Sequence, residues 1–395
     1  MSQRLIDRNP DLKRLRDEGF NILVRDAYLI MKDVPYVNAA REIKRGVIVA
    51  ALSLTNDKVG TPPDHTILFA GEYPCHETGT SMERIRHTES AVTVGDVRTT
   101  YSFSAKPKPH DNDPDYHTKM TRYAQILSAP AMAIDPDISA QTYPVYRNDE
   151  EEDDSVFLYA DTASSRADIV SVTNKLKLDR VDVIGAGGTG GYIIDLVAKT
   201  PVREMHIWDG DVFDQHNAFR APSAASGEEL EERLKKVNYY ARLYSKMRRG
   251  IVPHAEYVTA ENAAGLQNSQ FVFVCIEGPS KRPVVERLEA LGIPFIDVGM
   301  GIYQVNGSLG GILRVTASTP AKREHVREKG RITFVGVDDV NEYDKNIQIA
   351  DLNAMNAAMA VIKWKKLCGF YLDQEGEHFS TYTIGGNDII NEDQS

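Results

Sequence analysis

The sequence predicts two domains of different class: an α/β domain in the C-terminal half, with a mostly parallel sheet covered by helices on both faces, and an α+β domain before it. Three observations carry this expectation. Six consecutive acids at 149–154 divide the 395-residue chain, and such a run stays solvated by self-repulsion and reads as a linker, or alternatively as an acidic docking patch for a basic partner. After the run, apolar strands alternate with helical patterns, which implies a doubly covered parallel sheet. Before it, short apolar or alternating runs separated by Pro, Gly and Asp outnumber helical patterns, as in antiparallel sheets. The domains are expected at 1–147 and 161–395, joined by 148–160, and each is long enough to bury its own core.

In order along the first half, strands are expected at 21–24, 28–31, 46–54, 66–69 and 92–101, where apolar residues run together or alternate, and helices at 12–18, 81–87 and 119–127. The second half reads helix 165–177, strand 180–184, helix 190–199, strand 204–209, helix 227–247, strands 251–255 and 271–275, helix 283–291 and strand 295–298. Two alternating runs around Asn306-Gly307 then signal a hairpin, because both residues tolerate the positive φ of a two-residue turn. A long helical pattern over 351–367 ends near Gly369, and its apolar stripe reads as core.

A content of 42% apolar and 26% charged residues is that of a globular protein. No run approaches the ~18 apolar residues of a membrane span, and the N-terminus lacks a signal-peptide core, so a cytoplasmic protein with no membrane partner is expected. A net charge of -11 disfavours broad nucleic-acid binding, which rests on neutralising phosphates. The three cysteines, Cys75, Cys275 and Cys368, are scattered, which suits reduced thiols. Without a Cys-x-x-Cys pair, no structural zinc is expected.

The apolar run Val181 to Ile184 leads into Gly185-Ala186-Gly187-Gly188-Thr189-Gly190-Gly191 and then a helical pattern. Such a turn places backbone N–H groups at a helix N-terminus, where phosphate is stabilised. Asp209 ends the next strand nineteen positions after Gly190 and reads either as a ribose acceptor or as a strand-end helix cap. These features suit an NAD-dependent oxidoreductase as well as other nucleotide binders. Asp211, Asn217 and Arg220 follow, then Lys235 and Lys236, while Glu277 closes another strand with Arg282 beyond it. Amide and basic groups of this kind serve an enzyme that breaks a phosphoanhydride and must neutralise departing polyphosphate, rather than one that transfers hydride. Gly185, Asp209 and Glu277 all fall at carboxyl ends of strands, where open parallel sheets bind ligands.

With Gly-x-Gly-Gly-x-Gly, Asp-x-Asp, Asn-x-x-Arg, a helical Lys and an acid before a distant Arg in order, the chain over 160–372 resembles the ThiF/MoeB/HesA adenylyltransferase superfamily, which includes the ubiquitin-activating enzymes. The resemblance implies a Rossmann-like fold and a cytoplasmic, ATP- and Mg²⁺-dependent transferase. It implies that Gly185, Gly187, Gly188 and Gly190 line the ATP phosphates and that Asp209, with Asp211 beside it, binds the ribose end. Asn217 would contact the α-phosphate region, Arg220 the β/γ-phosphates, and Lys236 or its neighbour Lys235 the phosphates. Glu277 stands where the superfamily has an aspartate as Mg²⁺ ligand. The reaction implied is attack of a carboxylate on the α-phosphate, giving an acyl-adenylate and pyrophosphate. The carboxylate would be the C-terminus of a ubiquitin-like or sulfur-carrier protein in a bacterial modification system; a small-molecule or tRNA-linked carboxylate is the alternative. A homodimer, a conjugating enzyme as further partner, and Arg166 lent to a neighbouring subunit follow from the same resemblance.

The chain departs from the superfamily in lacking the paired Cys-x-x-Cys motifs and a clear acceptor cysteine, since Cys275 sits in an apolar strand and Cys368 just beyond a helix. The first half holds a denser group. His65, Glu72, Cys75 and His76 lie on and after an expected strand, and they can be a thiol nucleophile with its base, a set of metal ligands, or a surface turn whose polar residues satisfy one another.

Overall fold

The computed structural model describes residues 2–55, 58–108, 112–147, 155–334 and 347–394. The acidic run at 149–154 lies outside the described residues. The chain divides into two compact units, Met1–Asp153 with Tyr159–Ala167, and Asp154–Leu158 with Asp168–Ser395.

The first unit is α+β. Its strands β1 (Asn21–Arg25), β2 (Tyr28–Val37), β3 (Ile43–Ala51), β4 (Thr66–Ala70), β5 (Arg86–Val94) and β6 (Val97–Ser104) form one antiparallel sheet in the order β1-β2-β3-β4-β6-β5. The expected strand at 92–101 is instead the tip of the β5–β6 hairpin, turned at Gly95 with φ 57°. The helix expected at 81–87 is a single 3-10 turn, Glu83–Ile85, before β5 begins. Helix α1 (Tyr116–Ile134) starts where the Asp115 carboxylate accepts the Thr118 N–H at 2.7 Å. Its Tyr116, Met120, Tyr123 and Leu127 recur at helical spacing and are buried with Met31, Ile48, Phe69 and Phe103 from the sheet.

The second unit is α/β. Strands β7 (Arg180–Ile184), β8 (Glu204–Trp208), β9 (Ile251–His254), β10 (Phe271–Val274), β11 (Phe295–Val305), β12 (Ser308–Ser318), β13 (Phe379–Thr383) and β14 (Asp388–Glu392) make one sheet ordered β9-β8-β7-β10-β11-β12-β13-β14. From β9 to β11 the pairing is parallel, and from β11 onward antiparallel. After β7 the chain winds outward through β8 and β9, then crosses to β10 on the other side of β7. That reversal makes a crevice beyond the carboxyl ends of β7 and β10. The hairpin β11–β12 turns at Asn306 and Gly307, with φ 51° and 77°, as the Asn-Gly pair predicts. The strand expected at 295–298 runs on into the hairpin's first arm.

Helices α2 (Gly188–Ala198), α3 (Lys236–Tyr244), α4 (Lys281–Ala290) and α5 (Ala350–Leu367) cover the sheet. Ile193, Val197, Tyr240, Ala357, Ala360 and Trp364 share one core with Val183, Ile207 and Phe273, and Val284, Val285 and Leu288 share a second with Val272, Val274 and Phe295. Two expected helices are broken, in each case at a residue driven to positive φ, which a helix does not tolerate. The 165–177 pattern becomes Thr162–Arg166 and Val170–Thr173, split by Asp168 at φ 57°. The 227–247 pattern becomes Gly227–Glu231 and α3, split by Arg233 at φ 49°. The same break places Lys236 on the first turn of α3.

Candidate nucleotide site

Beyond the crevice between β7 and β10 lies a cavity of about 310 Å³. Gly185, Gly187, Asp209, Asp211, Arg220, Lys236 and Glu277 all line it, together with Trp208, Tyr257, Cys275 and Gln348. Gly185, Asp209, Cys275 and Glu277 line it because each lies just beyond the carboxyl end of a strand of one sheet, while Arg220, Lys236 and Gln348 are brought there by the segments between elements and the start of α3.

The glycine turn is shaped by close approaches. Gly185 adopts φ 93°, and a Cβ there would lie 2.5 Å from the Cys275 carbonyl oxygen. A Cβ on Gly190 would lie 1.9 Å from the Gly185 carbonyl oxygen, and one on Gly188 would lie 2.1 Å from Asn353 Nδ2. These three glycines are therefore required by the fold itself. Gly187 differs: its φ is -76°, and a Cβ would meet nothing within 4 Å. Gly188 and Gly190 line a smaller cavity of about 40 Å³ that shares Gly187, Cys275, Glu277 and Gln348 with the larger one.

Asp209 is buried, and its two carboxylate oxygens accept the Ala186 and Asp211 N–H groups, each at 2.8 Å. It thus ties the glycine turn to the end of β8 while lining the cavity. Lys236 Nζ lies 2.6 Å from Asp211 Oδ2 and 3.9 Å from Asp209 Oδ1. Lys235 instead donates to the Gly210 carbonyl at 2.6 Å and does not line the cavity. Burial works to raise the Asp211 carboxyl, but hydrogen bonds from Lys236 and the Tyr257 hydroxyl outweigh it and hold the group below the usual range.

Arg220 is the uncompensated charge of the site. Its guanidinium is half-buried, burial depresses its pKa, and among the described residues no carboxylate pairs with it; its Nε is buried without a hydrogen-bond partner. A cation that has lost solvent and gained no anion is stabilised by an anionic ligand. Asn217 does not enter the cavity. It is buried, its Oδ1 accepts the Asp214 N–H at 2.9 Å in a capping box, and its carbonyl accepts the Arg220 N–H at 3.0 Å. It builds the turn that carries Arg220.

Glu277 is exposed and borders both cavities. Among the described residues no group of three His, Cys, Asp or Glu side chains is placed to hold a metal by itself. A single carboxylate nevertheless fits Mg²⁺, which is commonly held by one or two carboxylates together with substrate phosphates and water. Arg282 lies over the Phe334 ring, 4.7 Å from its centroid.

Sequence reasoning missed Tyr257, Gln348 and Asn356. The position of Tyr257 just past β9 was a usable signal, since strand ends supply such sites. For Gln348 and Asn356, far along the chain near and on α5, the sequence carried none.

The thiol group of the first unit is dispersed. His65 Nε2 is hydrogen bonded to Ser104 Oγ at 3.0 Å, Glu72 accepts from Asn38 Nδ2 at 3.2 Å, and His76 is exposed. No hydrogen bond or ion pair joins any two of His65, Glu72, Cys75 and His76. Cys75 is buried, and burial pushes its thiol up, away from the thiolate a nucleophile needs. Burial also raises Cys275, and pushes Cys368 up to about 11. At pH 8 the folded chain should therefore react with iodoacetamide at least about tenfold more slowly than in denaturant, because only thiolate reacts. Rapid alkylation of Cys75 in the folded chain would restore the thiol-site reading.

A family model described as a domain of unknown function, DUF6791, matches residues 10–162. No curated protein matches the chain. Among solved structures, the chain is similar to E. coli MccB at 17% identity, covering 57% of this chain and 66% of that one with a TM-score of 0.43. It is similar to the microcin C7 biosynthetic enzyme MccB in complex with N-formylated MccA at 18% identity, covering 58% and 69% with a TM-score of 0.47. It is similar to PaaA at 13% identity, covering 62% and 87% with a TM-score of 0.46. The chain thus spans about two thirds of the length of MccB.

Proposed function

We infer that the second unit binds ATP and transfers its AMP moiety to a carboxylate. The observation that carries this reading is Arg220, a half-buried cation without a carboxylate partner among the described residues, in a cavity it shares with Lys236 and the N-terminus of α2. An unpaired guanidinium and a helix N-terminus in one crevice, with Lys236 beside them already paired to Asp211, suit a polyphosphate. The cavity's volume lies near the lower bound for ligand sites, roughly 300 Å³, which suits a mononucleotide better than the two nucleotides of NAD.

A carboxylate is already a nucleophile at neutral pH, so no general base is required. One of its oxygens attacks the α-phosphorus, the bond from that phosphorus to the bridging oxygen breaks, and pyrophosphate leaves with the electron pair. Arg220 and Lys236 oppose the charge that grows on the leaving group, and Asp209 holds the glycine turn in place for the phosphates. Glu277 is positioned to take a Mg²⁺ ion, which when bound supplies further charge neutralisation. The sequence resemblance extends the reading to the C-terminal carboxylate of a ubiquitin-like or sulfur-carrier protein. It also supports a homodimer and a conjugating enzyme as partners.

Pyrophosphate exchange tests this directly. Labelled pyrophosphate should enter ATP when a candidate carrier with a free C-terminus is added, and not when that C-terminus is amidated. Exchange absent with every carrier, together with tight NADH binding, would overturn the reading. A Cys75→Ala variant should exchange at the wild-type rate.

A further inference from the structure

Helix α5 presents two asparagines, Asn353 and Asn356, three positions apart and therefore on one face, and both are 0% exposed. Their outer contacts are with the turn and the sheet. The Thr189 hydroxyl donates to Asn353 Oδ1 at 3.1 Å, and Asn356 Nδ2 donates to the Gly299 carbonyl at 3.1 Å. Because Asn356 Nδ2 is engaged in this way, the amide orientation is set and its oxygen points elsewhere. That oxygen, Oδ1, is buried and has no hydrogen-bond partner among the described residues. Leaving a buried acceptor unmatched is costly, and one that borders a cavity can be completed by a ligand or a water held there.

Asn356 lines the cavity of about 40 Å³ beside the larger site, with Gly187, Gly188, Gly190, Val298 and Gly299. At that volume it takes a group little larger than a water molecule, whose share of liquid volume is about 30 Å³. The group must donate a hydrogen bond to satisfy Asn356. It must also reach Gly187, where the two cavities meet. In an α-peptide the N–H of the last residue lies one carbon away from the terminal carboxylate and projects sideways from the chain, so the small cavity need admit only that donor hydrogen while the chain itself stays outside it.

We propose that Asn356 is a specificity-determining residue whose Oδ1 accepts a hydrogen bond from the N–H of the acyl substrate's last residue. The site thereby selects a peptide α-carboxylate over an acid that lacks an N–H at that position. This rests on the adenylation reading and names the atom that recognises the acyl partner.

Two stable acyl-adenylate mimics test it on the full chain: adenosine 5′-sulfamate acylated with N-acetylglycine, and its isostere acylated with acetoxyacetic acid, in which oxygen replaces the N–H. Calorimetry of the wild type should show the N–H mimic binding at least about tenfold more tightly, since the ester leaves Asn356 unmatched. In Asn356→Ala the preference should disappear. Equal affinities in the wild type, an arm that depends on no variant, overturn the proposal while sparing the adenylation reading. A preference that persists in Asn356→Ala also overturns it. Binding of neither mimic removes the adenylation reading itself and this proposal with it.

Discussion

Arg220→Ala is expected to lower the rate of adenylate formation by about 10²-fold or more, equivalent to about 3 kcal/mol of transition-state stabilisation, the scale seen when one donor to a developing charge is removed. The same variant should melt at the wild-type temperature or slightly above it. Both effects have one cause. The guanidinium is half-buried, burial depresses its pKa, and no carboxylate among the described residues compensates it. Its desolvation cost is therefore carried by the free protein and offset only when polyphosphate is bound. Alanine removes that cost along with the contact. A residue kept for packing behaves oppositely, losing stability first. Single-turnover adenylation and thermal melts of the same preparation separate the two; unchanged turnover, or a melt lowered by several degrees, would sink the assignment. Arg220→Lys should recover only part of the rate, since an ammonium lacks the planar fork that spans two phosphate oxygens.

The second large effect is a contrast between neighbouring glycines. Gly190→Ala should abolish folding of the second unit, because its Cβ would sit 1.9 Å from the Gly185 carbonyl oxygen and backbone cannot yield that far. Gly187→Ala should fold normally, its φ of -76° being ordinary for alanine and its Cβ facing open space. It should nevertheless weaken ATP binding by at least about tenfold, as a methyl group on the turn displaces phosphates from the N–H groups at the start of α2. Circular dichroism reports the first half of the contrast and calorimetry with ATP the second. Wild-type ATP affinity in Gly187→Ala would place the phosphates elsewhere.

These glycines show how far the sequence reaches. Gly185, Gly187, Gly188 and Gly190 read alike as a phosphate-binding turn, yet three of them answer to Cys275, Gly185 and Asn353 of the protein itself. Only Gly187 is left to answer to a ligand. Asp209 is similar: its position at a strand end is legible, whereas its hold on the Ala186 N–H is not. The ambiguity between Lys235 and Lys236 arose because one-dimensional spacing does not say which of two adjacent residues faces the crevice; Lys235 caps α3 with non-helical φ -58° and ψ 142°, and Lys236 is the first residue on the helix. Asn217, spaced as a ligand, instead builds the turn that carries Arg220.

The first half was harder to read. The alternation along its sheet is interrupted by register shifts in β2 and β5, so a helical turn was expected where a hairpin arm begins. Its thiol group looked convergent because four reactive residues share a few positions. In a strand and turn, however, neighbours in sequence point to different faces, and Cys75 is buried where Glu72 and His76 are exposed.

The class of each half, the parallel pairing within the α/β sheet and the glycine-rich turn between a strand and a helix are legible in the chain alone, because they follow from local periodicity and from glycine and proline chemistry. Which groups share the cavity, and which charge lacks a carboxylate partner among the described residues, is settled by tertiary contacts. They alone brought Asn356 beside a turn more than a hundred and sixty positions earlier. Burial and pairing arise where distant segments meet, and no local pattern encodes them.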